Sequence, residues 1–323
     1  MRRLLPFLLL AAATMLGAAP AFPLKVSGDG RTLTDAAGVP FFYHADTAWA
    51  LSRNATLAEA DEYFAQRAKD GFTAIHLHAV TKEVGPVKNV NDDDPFAAFF
   101  ANEPWLDVNA AYTYREVAPH ILAEWERPYV DRKPKPIFLI ESGYEHESND
   151  SRGGPAHRVR RQAYSAMLSG ALMGHAYGHR EVWRFSPKWR EGVADAGSRQ
   201  MRHVRDLFAT RTWWKLRPDT LNELVPSRVD RVSPGDEKWP AAACADGGSF
   251  ALIYLPASRP VVVDIAKVAA DAKARWFDPT DGSTQPATGN PWRETPWLEF
   301  TPPAKNASGD EDFLLVLETV ATK

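Results

Sequence analysis

The sequence predicts an α/β domain built on a parallel sheet, followed by a small antiparallel β-sandwich. Up to about residue 212, apolar strand patterns alternate with amphipathic helix patterns, which is typical of βαβ units in a parallel sheet. From residue 248 onward the pattern changes to short strands separated by turn residues. We therefore predict a main domain at 22–212, a linker at 213–247 and the sandwich at 248–323.

Composition excludes several classes of protein. The chain has 323 residues, of which 45% are hydrophobic, so it can bury a sizeable core. Its 38 basic and 41 acidic residues give a net charge of −3, and no basic block could follow a phosphate backbone, so we expect no nucleic-acid partner. Cys244 is the only cysteine, which excludes an internal disulfide, so packing must hold the fold.

The N-terminal segment has the features of a targeting sequence. Arg2 and Arg3 precede an apolar run at 4–16, and the small residues at 19–21 fit a cleavage site. We predict that residues 1–21 are a signal peptide and that the mature protein is secreted or periplasmic. The apolar run is shorter than the ~20 residues of a membrane span. No later stretch approaches that length, so no membrane span is predicted.

The first half of the main domain contains two predicted strands around a helix. A hairpin at 24–34 precedes an apolar strand at 40–46. A capping box at 56–59 predicts the start of a helix, and Gly71 predicts its end. The next apolar strand is at 72–78. Strand, helix and strand thus follow one another within about 35 residues, as in a parallel βαβ unit.

The segment at 81–102 shows no convincing strand, and regular patterns resume after it. The remaining predicted elements of the main domain are helices at 113–129, 156–173 and 201–208, and strands at 135–141 and 175–185. The predicted strands of the sandwich are at 249–255, 260–265, 274–277 and 312–317.

Glu141 is the leading candidate for chemistry. It follows the apolar residues 136–140, as an acid does when a buried strand delivers it at its C-terminal end. In parallel sheets and barrels, ligands bind at these strand ends, so an acid there favours a chemical role. The alternative is a structural carboxylate held in an ion pair.

The strand ends of the main domain resemble, in order and spacing, those of the apiosidase-like glycoside hydrolases. The stretches concerned are 41–49, 104–109, 136–145 and 174–179. The C-terminal part resembles the β-sandwich of collagen-binding type that accompanies this family, at 252–254, 259–261 and 275–279. The resemblance implies an exported enzyme with a (β/α)8 barrel that attacks branched plant polysaccharides, a carbohydrate partner, and neither cofactor nor metal.

The same resemblance predicts an incomplete (β/α)8 barrel of the TIM type. Material similar to the first two and the last three of the eight units is present, in a domain of about 190 residues rather than the roughly 250 of a full barrel. The third to fifth units are predicted to be missing. The family's acid/base Asp ends the fourth strand in a Gly-Gly-Asp motif, and nothing in this sequence matches that motif.

By resemblance, Glu141 is the nucleophile of a retaining mechanism, which also needs an acid/base carboxyl group about 5–5.5 Å away. Asp46, Glu145 and the Asp92–Asp94 run are the possible substitutes, although the run also fits a solvated loop. The resemblance further implies sugar contacts, for which core packing (Trp49, Trp183) and a structural hydrogen bond (His179) are alternatives. The implied contacts are Asp46, Trp49, Tyr144, Tyr177, His179 and Trp183.

Two other functions fit the sequence. The missing Asp favours a catalytically impaired or non-catalytic remnant that binds carbohydrate. The third possibility is a metal-dependent barrel hydrolase that uses a histidine cluster. His76 and His78 are spaced to point to one side of a strand, and His175 and His179 could add ligands from a later strand.

Overall fold

The computed structural model describes residues 19–78, 106–128, 134–147, 154–226, 232–291 and 296–319. The described chain opens with three short antiparallel strands, β1 (Lys25–Val26), β2 (Leu33–Thr34) and β3 (Pro40–Phe41), which pair in that order. The pairing of β1 with β2 confirms the predicted hairpin. Residues 1–18 of the predicted signal peptide lie outside the described residues.

Five parallel strands form the sheet of the main domain, which confirms the predicted α/β class. They are β4 (Tyr43–Thr47), β5 (Ala74–His76), β6 (Asn109–Tyr112), β7 (Ile137–Glu141) and β8 (Gly174–Tyr177). Their order is β5-β4-β8-β7-β6, so the first strand lies beside the last, as in a closing barrel. Residues 79–105, between the edge strands β5 and β6, lie outside the described residues. The absence of three barrel units therefore stays a prediction.

Helices follow these strands, and none in the described part of the chain is long and apolar enough to cross a membrane. The predicted capping box is confirmed, because Thr56 Oγ1 accepts a hydrogen bond from the Glu59 backbone N–H and the Glu59 carboxylate accepts one from the Thr56 N–H. The helices are α1 (Leu51–Asn54), α2 (Leu57–Lys69), α3 (Val117–Trp125), α4 (Gly154–Leu168), α5 (Arg180–Trp183), α6 (Trp189–Ala194) and α7 (Ala196–Ala209).

The structure corrects the strand predicted at 175–185. Strand β8 ends at Tyr177, and the chain then enters the short helix α5. The imidazole of His179 starts this helix, because its Nδ1 accepts a hydrogen bond from the backbone N–H of Glu181 at 3.0 Å. A side chain that caps a helix is not visible in an apolar pattern, so the sequence suggested a continuous strand.

Successive side chains of β4 lie on opposite faces of the sheet, and the two faces have different surroundings. Ala45 belongs to a cluster inside the curve of the sheet with Phe138 and Ala176. The ring of His44 faces the helices and stacks on Phe72, with ring centroids 4.6 Å apart. Successive side chains of a strand point to opposite faces, so the even-numbered residues of β4 belong to the helix side.

The helix side of β4 holds a buried ion pair. The Asp46 carboxylate accepts a hydrogen bond from the Tyr63 hydroxyl at 2.5 Å and lies 2.6 Å from Nε of Arg67. Arg67 also donates to the Ser198 hydroxyl of α7. One guanidinium thereby joins β4, α2 and α7, and it is almost completely buried.

The C-terminal part is an antiparallel sandwich, as predicted. One sheet has six strands in the order β14-β13-β17-β11-β10-β9, and the other has three in the order β12-β16-β15. Their inner faces share one apolar cluster. The strands are β9 (Leu216–Pro218), β10 (Ala241–Ala245), β11 (Phe250–Leu255), β12 (Val261–Asp264), β13 (Ala272–Phe277), β14 (Thr284–Pro286), β15 (Gly289–Pro291), β16 (Trp297–Phe300) and β17 (Phe313–Thr319).

The stretch predicted as a linker contributes two strands to the larger sheet. Strands β9 and β10 lie within 213–247 and pair with each other, and β10 also pairs with β11. The sheet therefore begins at Leu216 rather than at residue 248. Strand β10 is mostly alanine, so its apolar pattern is weak in sequence, and only its pairing with β11 identifies it as a strand.

The sandwich and the main domain share a core. Tyr164 and Met167 of α4 and Phe208 of α7 pack in one cluster with Leu252 and Tyr254 of β11. At its edge, the buried Arg160 donates hydrogen bonds to both carboxylate oxygens of Asp312, at 2.9 and 2.8 Å. The two parts are therefore joined by a continuous interior rather than by a flexible connection.

We expect Arg160→Gln to lower the free energy of unfolding by about 3–5 kcal/mol, because it leaves the buried Asp312 carboxylate without its cation. Urea unfolding measures this loss. The matched control is Arg275→Gln, which removes a longer, partly exposed ion pair to Glu318 and should cost only about 0–1 kcal/mol. Equal losses in the two variants would contradict the role of Arg160.

A buried histidine pair predicts a pH dependence of stability. His44 Nδ1 lies 3.0 Å from His175 Nε2, and burial lowers the pKa of His44 well below its ordinary value and that of His175 to about 4. Imidazoles of the unfolded chain take up protons near pH 6.5, whereas His175 stays neutral until about pH 4 and the pKa of His44 is lowered as well. The unfolded state therefore binds more protons in this window, and stability falls as the pH is lowered through it.

Urea unfolding at about pH 7 and about pH 5 tests this dependence, which amounts to about 1.4 kcal/mol per pH unit for each proton taken up. We expect His175→Gln, which cannot titrate, to lose less stability between the two pH values than the wild type. If His175→Gln loses as much stability as the wild type between the two pH values, the pair is not the cause.

Candidate active site

Glu141 lies where the sequence predicts a chemical group, at the C-terminal end of β7. Its carboxylate is half-buried, and the Tyr114 hydroxyl donates a hydrogen bond to Oε1 at 2.8 Å. Tyr114 stands two residues beyond the end of β6, the neighbouring strand. Two adjacent parallel strands thus deliver an acid and a hydroxyl to the same edge of the sheet.

The surroundings of Glu141 act on its pKa in opposite directions. Burial raises the pKa above its ordinary value, and hydrogen bonds from Tyr114 and Tyr144 lower it. The negative charge of Glu147 raises it further, whereas His78 lowers it. Burial prevails, so Glu141 holds its proton more tightly than a solvated glutamate.

Aromatic side chains surround this carboxylate. Trp49, which follows β4, donates its Nε1–H to the Tyr144 hydroxyl at 2.6 Å and stacks on His78 at 5.1 Å between ring centroids. The ring of Trp183 lies 6.5 Å from that of Tyr144. Both predicted aromatic contacts therefore lie beside Tyr144, and because Trp49 and Trp183 are only partly buried, each has some surface available to a sugar face.

Gly178 makes room for Tyr144. A β-carbon at this position would lie 2.4 Å from Cδ1 of the Tyr144 ring, closer than any side chain allows. The ring therefore packs directly on the backbone that follows β8. This close approach holds the Tyr144 hydroxyl near Glu141, and Tyr144 itself is only 3% exposed.

The structure corrects two predicted sugar contacts. Asp46 and Tyr177 occupy helix-side positions of β4 and β8, and both are buried. Asp46 pairs with Arg67, and the Tyr177 hydroxyl donates to the Glu145 carboxylate at 2.5 Å. Strand alternation turns these side chains away from the edge of the sheet where Glu141 lies, so neither can contact a ligand there.

His179 and Glu145 also serve structural contacts. His179 caps α5 and is almost completely buried, and its Nε2 lies 2.9 Å from Asp195 Oδ2. Glu145 accepts hydrogen bonds from the Gly197 and Ser198 backbone N–H groups, at 2.9 and 3.1 Å, at the N-terminus of α7. Glu145 is therefore unsuitable as a substitute acid. The Asp92–Asp94 run lies outside the described residues.

The structure does not bring the predicted histidine cluster together. His76 lies inside the curve of the sheet beside Tyr43, whereas His175 bonds to His44 on the helix side. The four histidines thus lie on both faces of the sheet and cannot share one ion.

A different group, His146, His179 and Asp195, has ligand atoms within 4.8 Å of one another. It fits a hydrogen-bonded triad better than a metal site. Because Nδ1 of His179 accepts from a backbone N–H, the neutral ring carries its proton on Nε2 and donates it to Asp195. A metal at Nε2 would have to displace that proton.

Three neighbours of Glu141 are absent from the sequence prediction. Tyr114 falls in a stretch predicted as helix, the sequence suggests His78 only as a metal ligand, and Glu147 follows the strand by six residues. The useful signal for Tyr114 and His78 is position, because each lies two residues beyond the end of a parallel strand. Such positions face the ligand crevice in this class of sheet.

Comparisons with known proteins agree with this geometry. Residues 27–98 and 92–215 match the family model described as "Apiosidase-like, catalytic domain", and residues 229–318 match the "Putative collagen-binding domain of a collagenase". A search of curated proteins returns no match.

Two solved structures are similar over nearly the whole chain. A glycoside hydrolase family 5 protein from Bacteroides vulgatus has a TM-score of 0.74 and 17% identity, covering 93% of this chain and 94% of that chain. A second, described as a glycoside hydrolase, has a TM-score of 0.71 and 18% identity, covering 93% and 97%. At these identities, the likeness shows a shared fold.

We expect Tyr114→Phe to raise the pKa of Glu141 further, because it removes a hydrogen bond that favours the ionised carboxylate. NMR titration of isotope-labelled glutamate carboxyl carbons measures the change, and Glu141→Gln identifies the signal. Tyr112→Phe, which changes a neighbouring half-exposed tyrosine, is the control. An unchanged Glu141 titration in Tyr114→Phe would show that this hydrogen bond does not tune the acid.

Proposed function

This chain belongs to the apiosidase-like family of glycoside hydrolase domains, and on that premise we propose that it is an exported hydrolase of plant-type branched polysaccharides or oligosaccharides. The observation that carries the proposal is the position of Glu141. A half-buried carboxylate stands at a strand end, between a hydroxyl donor and aromatic side chains. Residues 1–21 serve as the signal peptide, as their charge and apolar pattern indicate.

The proposed mechanism retains configuration. Ionised Glu141 attacks the anomeric carbon, the glycosidic C–O bond breaks, and the leaving oxygen takes a proton from an acid. A glycosyl ester on Glu141 results. Water then attacks the same carbon, gives its proton to the conjugate base of that acid and releases Glu141. Tyr114 orients the carboxylate through its hydrogen bond to Oε1.

We infer that Glu147 supplies the proton. The other candidates among the described residues, Asp46 and Glu145, are buried and held by structural partners. Glu147 is exposed on the turn after β7, where its backbone N–H bonds to the Tyr144 carbonyl at 3.2 Å, and its charge acts on Glu141. A second carboxylate on the turn that follows the nucleophile's strand could reach the leaving oxygen of a bound glycoside.

We also propose that the barrel is incomplete. The two segments that match the family model overlap at 92–98, as expected for a chain that lacks the middle of the family's pattern. The described edge strands β5 and β6 precede and follow that region. An open barrel of this kind exposes strand edges that must be paired or covered.

A second function is supported by the same residues. Because Asp46 and Glu145 serve structural contacts, no carboxylate among the described residues forms a hydrogen bond with Glu141, which favours a non-catalytic remnant that binds carbohydrate. In that case the aromatic side chains around Glu141 bind sugar faces without bond cleavage.

Glu141→Gln separates the two functions. Gln keeps the shape but cannot form the glycosyl ester, so cleavage of dinitrophenyl glycosides, beginning with the apioside, should fall to background. Glu191→Gln, at an exposed position on α6, should retain wild-type activity. If the wild type and Glu141→Gln cleave equally well, Glu141 is not the nucleophile. If neither cleaves and both bind oligosaccharide, the non-catalytic function is correct.

Glu147→Ala tests the proton donor. Dinitrophenolate leaves without protonation, so formation of the glycosyl ester should remain near the wild-type rate with this leaving group. Alkyl glycosides need the proton and should react about 10²–10⁴ times more slowly. Added azide should speed turnover of the variant by replacing activated water. Equal losses with both leaving groups would exclude Glu147 as the acid.

A further inference from the structure

A cavity lies between the main domain and the sandwich. It has a volume of about 500 Å³ and shares no lining residue with the group around Glu141. One wall is the first half of α4, and the others are loops at 237–238, 256–259 and 305–311 of the C-terminal part. Its volume is typical of a small-molecule site and exceeds the space that a simple anion needs.

Arg161 gives this cavity a buried cation with an unused donor. Nε and Nη2 of its guanidinium donate to the Glu116 carboxylate at 3.2 and 2.8 Å. Nη1 has no hydrogen-bond partner among the described residues, and the Glu237 carboxylate lies 3.9 Å away. The side chain is only 7% exposed. A buried charged donor without an acceptor is costly, so a ligand oxygen here would be favoured.

The remaining charges of the cavity favour an anion. Of its three acids, Asp310 is paired with Arg160 at 2.7 Å, Glu311 is paired with Lys305 at 3.2 Å, and Glu237 lies 3.9 Å from Arg161. Lys238 and Arg259 line the cavity with Arg161, and one N–H group of Arg259 bonds to the Lys238 carbonyl at 2.8 Å. That bond leaves further guanidinium donors available. With Lys305, four cationic side chains line this partly enclosed space against three acids.

We propose that this cavity binds the carboxylate of an acidic sugar, with uronate as the ligand class. The carboxylate accepts from Arg161 Nη1 and Arg259, and the remaining volume accommodates a polar ring beside Lys238 and the loop carbonyls. The site is separate from Glu141, so the proposal does not rest on catalysis. It gives the junction between the two domains a binding role in addition to its structural one.

Isothermal titration of the full mature chain with glucuronate, glucose and inorganic sulfate at constant ionic strength tests the proposal. We expect glucuronate to bind, glucose not to bind, and sulfate to bind more weakly because it lacks the ring. Glucose binding as tightly as glucuronate would overturn the role of the carboxylate. Sulfate binding equally well would reduce the site to a general anion site and overturn the sugar assignment.

Variants locate the binding. Arg259→Gln and Lys238→Gln each remove one cation from a partly exposed position, and each should weaken glucuronate about tenfold. Lys273→Gln is the matched control, because it removes an exposed lysine on β13 that does not line the cavity. If glucuronate binds all three variants like the wild type, the site is elsewhere. Turnover of a small aryl glycoside at Glu141 should be unchanged in all three.

Discussion

The buried ion pair between Asp46 and Arg67 fixes the first strand of the parallel sheet in its orientation. A charge in the interior is tolerated only when it is paired and hydrogen-bonded, and Tyr63 and Ser198 supply the additional bonds. A slip of β4 by one residue would carry Asp46 to the opposite face and leave Arg67 buried without its partner. Because β4 pairs with both β5 and β8, its register also sets theirs.

This register determines which side chains reach the edge of the sheet where Glu141 lies. Residues on the helix side form structural contacts, as Tyr177 does with Glu145. Residues just beyond the strand ends, such as Tyr114, contact Glu141 instead. Two opposing effects act on the pKa of Glu141: burial raises it, and hydrogen bonds from two tyrosine hydroxyls lower it. A carboxylate placed in this way is partly shielded from water, which strengthens its interaction with a positive charge beside it.

The sandwich belongs to the same interior as the main domain. The packing of α4 and α7 on β11 and the bidentate contact of Arg160 with Asp312 join them. Helix α4 follows β7 along the chain, so the element that carries Arg160 and Arg161 is connected directly to the strand that carries Glu141. The proposed catalytic site at Glu141 and the cavity between the domains therefore both depend on the placement of this one helix.

The sequence by itself determined the features that depend on local pattern. The capping box of α2, the parallel strands and the acid at the end of β7 follow from residue spacing over a few positions, and the structure contains all three. The tertiary structure decided the features that depend on distant partners. Only the pairing of β10 with β11 identifies a strand in an alanine-rich stretch, and only the neighbours of β4 and β8 show that Asp46 and Tyr177 face the helices. The physical reason is that strand alternation gives each side chain one of two faces, and contacts far away in sequence select which face is buried against which partner.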